Sequence, residues 1–331
     1  MPSPSTINAP ETRVFDPLLY TTPLPYTVRC YPFGFPADIA SDSPRVLEAA
    51  RVSWSAFAPR FARPPVTVHV MVSDENGALP PAPVLRGQRH LVMWVADRAN
   101  FSVLDRRQRF AYACVTRATV ADQVFFRWHF LDALVYMLLE LNYLTSLHGA
   151  CVAWKDAGLL LYGPSGMGKS TLSYACARRG WTYISDDSSS VLWDDDRTVL
   201  GEPHHFRFRA DAPDLFPELR GLTVGYSLDR KPTIEVLTAG LPIRTAPECR
   251  VHWIVFLDRC PSGPSRLLPI GAEDARERIE QDMPVFDPDL EPRRRHIVES
   301  IAGLPAFVLQ YSHFEDAVPP LEKLAQEGDA A

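Results

Sequence analysis

The spacing of apolar residues divides the chain near residue 147. Before that point, apolar positions alternate over 66–72 and 90–95 and recur with a helical period over 43–58 and 121–143. Short strands mixed with helices follow from that pattern, and so a small α/β or α+β unit. After it, short apolar runs at 150–154 and 159–162 flank Lys155, Asp156, Ala157 and Gly158, the pattern of a β-hairpin. A glycine-rich loop comes next, then a helix over 169–179 that stops at Gly180, a residue suited to the left-handed conformation that ends helices. Further strands are predicted over 181–185, 188–193, 198–201, 250–257, 266–270 and 306–311, and helices over 272–283, 293–301 and 314–326. The second half is therefore also α/β.

Proline gathers in the first 36 residues, at 79–84 and at 284–292, which predicts loops or extended chain there. The expected organisation is a flexible segment over 1–25, an N-terminal unit over 26–146, a second unit over 147–327 and a short tail over 328–331.

Composition narrows the function more than the fold. The 331 residues carry a net charge of -6, without the basic excess of a general nucleic-acid binder. The strongest apolar run, 131–141, is interrupted by Asp132 and Glu140 and is too short to span a bilayer, so no membrane partner is expected. The opening residues lack the basic and apolar regions of a secretory signal, and the six cysteines show no metal-ligand spacing. They read as reduced thiols of a cytoplasmic protein.

The chemistry concentrates after the hairpin. Gly163, Pro164, Ser165, Gly166, Met167, Gly168, Lys169, Ser170 and Thr171 fit G-x-x-x-x-G-K-[ST] between a predicted strand and a predicted helix, the context a phosphate-binding loop needs. Its glycines permit positive φ and close backbone approach, and the helix N-terminus adds positive potential. Lys169 is expected to hold the β- and γ-phosphates of ATP, with the Ser170 hydroxyl on Mg²⁺ and Thr171 as a second hydroxyl. Asp186 and Asp187 end the next predicted strand, where a carboxylate would bind metal or accept a proton. Adjacent residues on an extended backbone face opposite ways, so the two need not share a role. Arg207 and Arg209, two apart on a predicted strand, would share a face and could meet a transferred phosphate.

The order His148-Gly149, hairpin, phosphate loop, Gly180 and Ser185-Asp186-Asp187 resembles the catalytic domain of HPr kinase/phosphorylase and its relatives, which share a nucleotide-binding fold with phosphoenolpyruvate carboxykinase. The resemblance covers roughly 147–326 and implies a mixed sheet, with Asp186 as catalytic base, Asp187 as its metal or nucleotide neighbour and His148 near the reaction centre. Glu218-Leu219-Arg220-Gly221-Leu222 echoes a family signature, which implies Glu218 near metal and Arg220 near phosphate, although Thr223 replaces its final glycine. The later segments over 255–259 and 305–311 look more like HPr kinase-related proteins encoded beside genes for modified ribosomal peptides.

The resulting expectation is an ATP- and Mg²⁺-dependent phosphotransferase acting on a hydroxyl, that of Ser or Thr in a peptide or protein or of a small molecule. A nucleotide-binding regulatory module, and a phosphorylase or ATPase, stand as alternatives. The sequence leaves a homo-oligomer open.

Overall fold

The computed structural model of the chain describes residues 23–75, 77–226, 232–283 and 290–328. Residues 1–22 of the expected flexible segment, 284–289 of the proline-rich loop and 329–331 of the tail lie outside the described residues.

The N-terminal unit is a mixed seven-stranded sheet in the order Tyr26–Cys30, Ala37–Ser41, Val66–Ser73, Phe110–Thr116, Phe101–Asp105, Leu91–Val95, Val84–Gln88. Ala37–Ser41, Val66–Ser73 and Phe110–Thr116 run parallel, and the remaining neighbours are antiparallel. Alternation places Val66, Val68 and Val70 in the core, against Val46, Leu47 and Trp54 of the helix Pro44–Trp54. The single helix expected over 121–143 is three segments instead. Asp122 interrupts it by accepting the Phe125 N–H at 3.0 Å, a wider π turn follows at Arg127–Leu131, and Asp132–Glu140 completes it. A π turn inserts extra backbone, which swings Arg127, Trp128 and Asp132 relative to a continuous helix.

The C-terminal unit is built on a ten-stranded mixed sheet. At its centre the hairpin Gly149–Trp154 and Ala157–Tyr162 lies beside the parallel strand Glu248–Arg259, which in turn pairs with Ala306–Tyr311. Both hairpin strands are almost wholly buried, as expected of strands covered on two faces. The helix Lys169–Arg178 covers one face with Leu172 and Tyr174 in its core, while Ile279, Ile297 and Ile301 cover the other. The strand Leu144–Leu147 pairs antiparallel with Ser189–Leu192, so the sheet already includes residues ahead of position 147. A small third sheet, Gly225–Tyr226, Pro232–Leu237 and His205–Arg209, hangs at the edge where the two units meet. The units share packing: Leu200 of the second lies in the core of the first, and Tyr136 donates to Glu202 across the boundary. All six cysteines are free, and Cys30, Cys114, Cys151 and Cys176 are buried.

Candidate active site

The strand Ala157–Tyr162 delivers the chain into the glycine loop at the sheet's end. Gly166 and Gly168 have φ of +92° and +96°, the left-handed region in which a side chain would be strained. A Cβ on Gly168 would also lie 2.6 Å from the Tyr311 hydroxyl. That hydroxyl donates to the Met167 carbonyl, so the last residue of Ala306–Tyr311 clamps the loop from the far end of the sequence. Arg209 reaches the other side, with Nη2 3.2 Å from where a Gly166 Cβ would sit.

Lys169 begins the following helix and is 6% exposed. Its Nζ donates to the Gly163 carbonyl at 2.7 Å and lies 3.3 Å from His148 Nε2. Burial pushes its pKa below the ordinary lysine value, opposed by Asp187, Asp282 and Asp186. The same His148 Nε2 is 3.1 Å from Asp187 Oδ1. One ring nitrogen cannot accept from Lys169 while donating to Asp187, so His148 serves one partner at a time according to where its proton sits.

The two aspartates sit in opposed environments. The hydrogen bond from His148 holds Asp187 below the usual carboxylate range despite partial burial. Burial pushes Asp186 up to about 6, against the Arg207 N–H, which donates to its Oδ2 at 2.8 Å. A carboxylate titrating near neutrality beside one that stays ionised is the usual arrangement for dividing proton transfer from charge binding. The Ser170 hydroxyl donates to the Asp186 carbonyl at 3.4 Å, which joins the helix start to the aspartate pair.

Arg207 and Arg209 share a face of His205–Arg209, as the period of two requires, with Phe206 and Phe208 buried behind them. The Arg207 guanidinium stacks over Trp128 at 4.8 Å and lies 3.7 Å from Glu235, so this strand ties the N-terminal unit to Asp186. The structure thus brings together His148, Gly163, Lys169, Ser170, Asp186, Asp187, Arg207 and Arg209. Pro164 and Ser165 are exposed on the loop, and Thr171 is half-buried one residue past Ser170. Glu218 is held elsewhere, accepting from Tyr174 at 3.1 Å and pairing with Arg178 at 3.1 Å, and Arg220 is exposed beyond it. Tyr311 and Trp128 were not singled out from sequence, because their partners lie 144 and 79 residues away in the chain.

Residues 140–222 match the HPr Serine kinase C-terminal domain. The HPr kinase/phosphorylase of Lactobacillus acidophilus is 40% identical over 67 residues, 20% of this chain and 21% of that protein. That of Enterococcus faecalis is 42% identical over 59 residues, 18% of this chain and 19% of its own length. These alignments span about a fifth of the relatives' length. The solved Hpr(Ser) kinase/phosphatase from Coxiella burnetii aligns over 56% of this chain and 90% of its own, at 16% identity and a TM-score of 0.27. The matched segment holds His148, the loop, the aspartate pair and Arg207, so over residues 140–222 the chain is similar to the HPr kinase family.

Proposed function

We propose that the protein transfers the γ-phosphoryl group of ATP to a hydroxyl, with residues 147–327 as the catalytic unit and residues 26–146 facing the acceptor. One observation carries this reading: buried Lys169 meets the loop carbonyl of Gly163 and lies beside His148, whose same ring nitrogen is within reach of the Asp187 carboxylate. A loop that holds phosphate and a pair of carboxylates within reach of its terminal group are the parts phosphoryl transfer requires.

In this reading Lys169, the loop N–H groups and the helix N-terminus bind the triphosphate and spread its charge. Arg209 beside the loop and Arg207 beside Asp186 flank the transferred group. Asp186, ionised above about pH 6, takes the proton of the acceptor hydroxyl. The acceptor oxygen bonds to the γ-phosphorus, the bond from that phosphorus to the β–γ bridging oxygen breaks, and ADP leaves.

The donor set suits Mg²⁺. Among the described residues no group of three or more His, Cys, Asp or Glu converges on one point, and Mg²⁺ needs only one or two protein oxygens beside phosphates and water. Ser170 and Asp187 would hold it. When bound, the ion neutralises charge on the β- and γ-phosphates. Glu218, committed to Tyr174 and Arg178, is not assigned to the metal.

The test is transfer of label from γ-labelled ATP by wild type and Asp186→Asn, with nucleotide affinity measured on the same samples. The expected outcome is turnover reduced at least roughly 100-fold in the variant, the scale of a lost general base, with affinity nearly unchanged. Undiminished turnover in Asp186→Asn would overturn the assignment.

A further inference from the structure

The phosphotransfer reading leaves the acceptor's chemistry open, and a cavity between the two units addresses it. About 620 Å³ in volume, it has Asp186 and Asp187 in its wall, within the size range of small-ligand sites. We infer that the acceptor is a small hydroxyl compound carrying a protonated amine, an inference that rests on that reading.

Charge is the first ground. Besides the aspartate pair, Asp132, Glu140, Glu202 and Glu235 line the cavity, against the two arginines Arg127 and Arg207. The lining histidines, His129 and His205, add charge only when protonated. In the reduced dielectric between two packed units an excess of carboxylates favours a cationic guest. The acids are spread around the walls of the cavity.

The second ground is aromatic. Phe33, Phe57, Trp94 and Trp128 line the same space, and Trp128 already holds a cation on its face in the Arg207 guanidinium. Walls that combine π faces with carboxylates are those that bind ammonium groups. The third ground is independent of both. Trp94 Nε1 and Arg127 Nε are buried donors in this lining that find no hydrogen-bond acceptor among the described residues. A ligand with oxygen atoms beside its amine would supply one.

The acids are held in place from the N-terminal unit. Ser53 donates to Asp132 at 2.7 Å, and Tyr136 donates to Glu202. An amine seated between Asp132 and Glu202 leaves its hydroxyl free to face Asp186, where oxygen gains the phosphoryl group and Asp186 gains the proton.

The experiment is calorimetric binding of 2-amino-1,3-propanediol and of glycerol, which differ in an amine for a hydroxyl, to the full chain at pH 7.5 with a non-hydrolysable ATP analogue. The amine is expected to bind at least roughly tenfold tighter, about 1.4 kcal/mol. Glu202→Gln should erase most of that preference. Since Glu202 also holds Tyr136, Glu235→Gln provides a second test on a side chain that is 55% exposed, and it should reduce the preference severalfold. Equal binding of amine and triol, or a preference that survives both variants, would overturn the inference. So would label from γ-labelled ATP reaching a serine peptide and never the amino alcohol. Binding is read without turnover, so its failure leaves the phosphotransfer reading standing, whereas failure of the analogue to bind strikes that reading.

Discussion

Two neighbouring carboxylates with the same side chain are set apart by what touches them. His148 keeps Asp187 ionised, while burial raises Asp186 to about 6. A base works in its deprotonated form, so the rate is expected to rise with pH through about 6 and level off above it. The rising limb should disappear in Asp186→Asn, and a pH–rate profile checks both statements. His148→Ala removes the partner of Asp187 and the neighbour of Lys169; the expected loss is about tenfold or more in kcat/KM at pH 7. At this scale much was legible in the sequence. The loop glycines and Lys169 stand in one contiguous motif, the aspartates follow one helix and one strand later, and their spacing reflects backbone geometry that any chain obeys. Arg207 was read from its alternation with Arg209, but its stacking on Trp128 was not, because a cation–π contact between two units leaves no local pattern. Glu218 shows the reverse: a signature-like stretch whose carboxylate is taken by Tyr174 and Arg178.

Among elements, the central hairpin and the helix after the loop follow directly from their apolar periods. The strands Phe101–Asp105 and Phe110–Thr116 were not singled out; their partners in the sheet, not their own composition, define them. The helix read as continuous over 121–143 is broken because Asp122 caps a new start and the turn at Arg127–Leu131 widens, two events that apolar periodicity does not register. Glycines at element junctions carry sharp predictions. In Gly168→Ala the new Cβ meets the Tyr311 hydroxyl at 2.6 Å with φ at +96°, so phosphate-loop geometry fails locally. Nucleotide binding should be lost while the far-ultraviolet circular dichroism stays native. In Gly158→Ala the Cβ would lie 2.6 Å from both the Arg250 carbonyl and Cys249 Sγ, in the pairing of two central strands. That variant should lose roughly 1–3 kcal/mol of stability, measured by denaturant titration.

Across the whole molecule, the two units meet through Leu200 in the N-terminal core, the Tyr136–Glu202 bond and the Arg207–Trp128 stack. The cavity between them could not be read from either half alone, since its carboxylates come from both. Burial also raises Asp132 to about 6, and this has a consequence for stability. The folded state holds that proton after the unfolded chain, near its ordinary value of 3.8, has released it. Asp132 and Asp186 therefore each favour folding at low pH, and their contribution falls as pH rises from about 4 to about 6. Half-buried His69, His129 and His204, lowered from 6.5, act in the opposite sense, since the unfolded chain binds their protons first as pH falls. Comparison with Asp132→Asn isolates one group, because the amide oxygen can still accept from Ser53. Relative to wild type, the variant is expected to gain stability from pH 4 to pH 6.5, by up to about 3 kcal/mol, in paired unfolding titrations.

The central claim is that the loop from Gly163 to Thr171 is a triphosphate site serving the aspartates beside it. Titration calorimetry of ATP with Mg²⁺ into the wild-type chain, paired with Lys169→Ala, tests it most directly. Saturable one-site binding by wild type, lost or weakened at least roughly 100-fold when the buried ammonium is removed, is the predicted result. No binding by folded wild-type protein, or equal binding by both, would contradict the account.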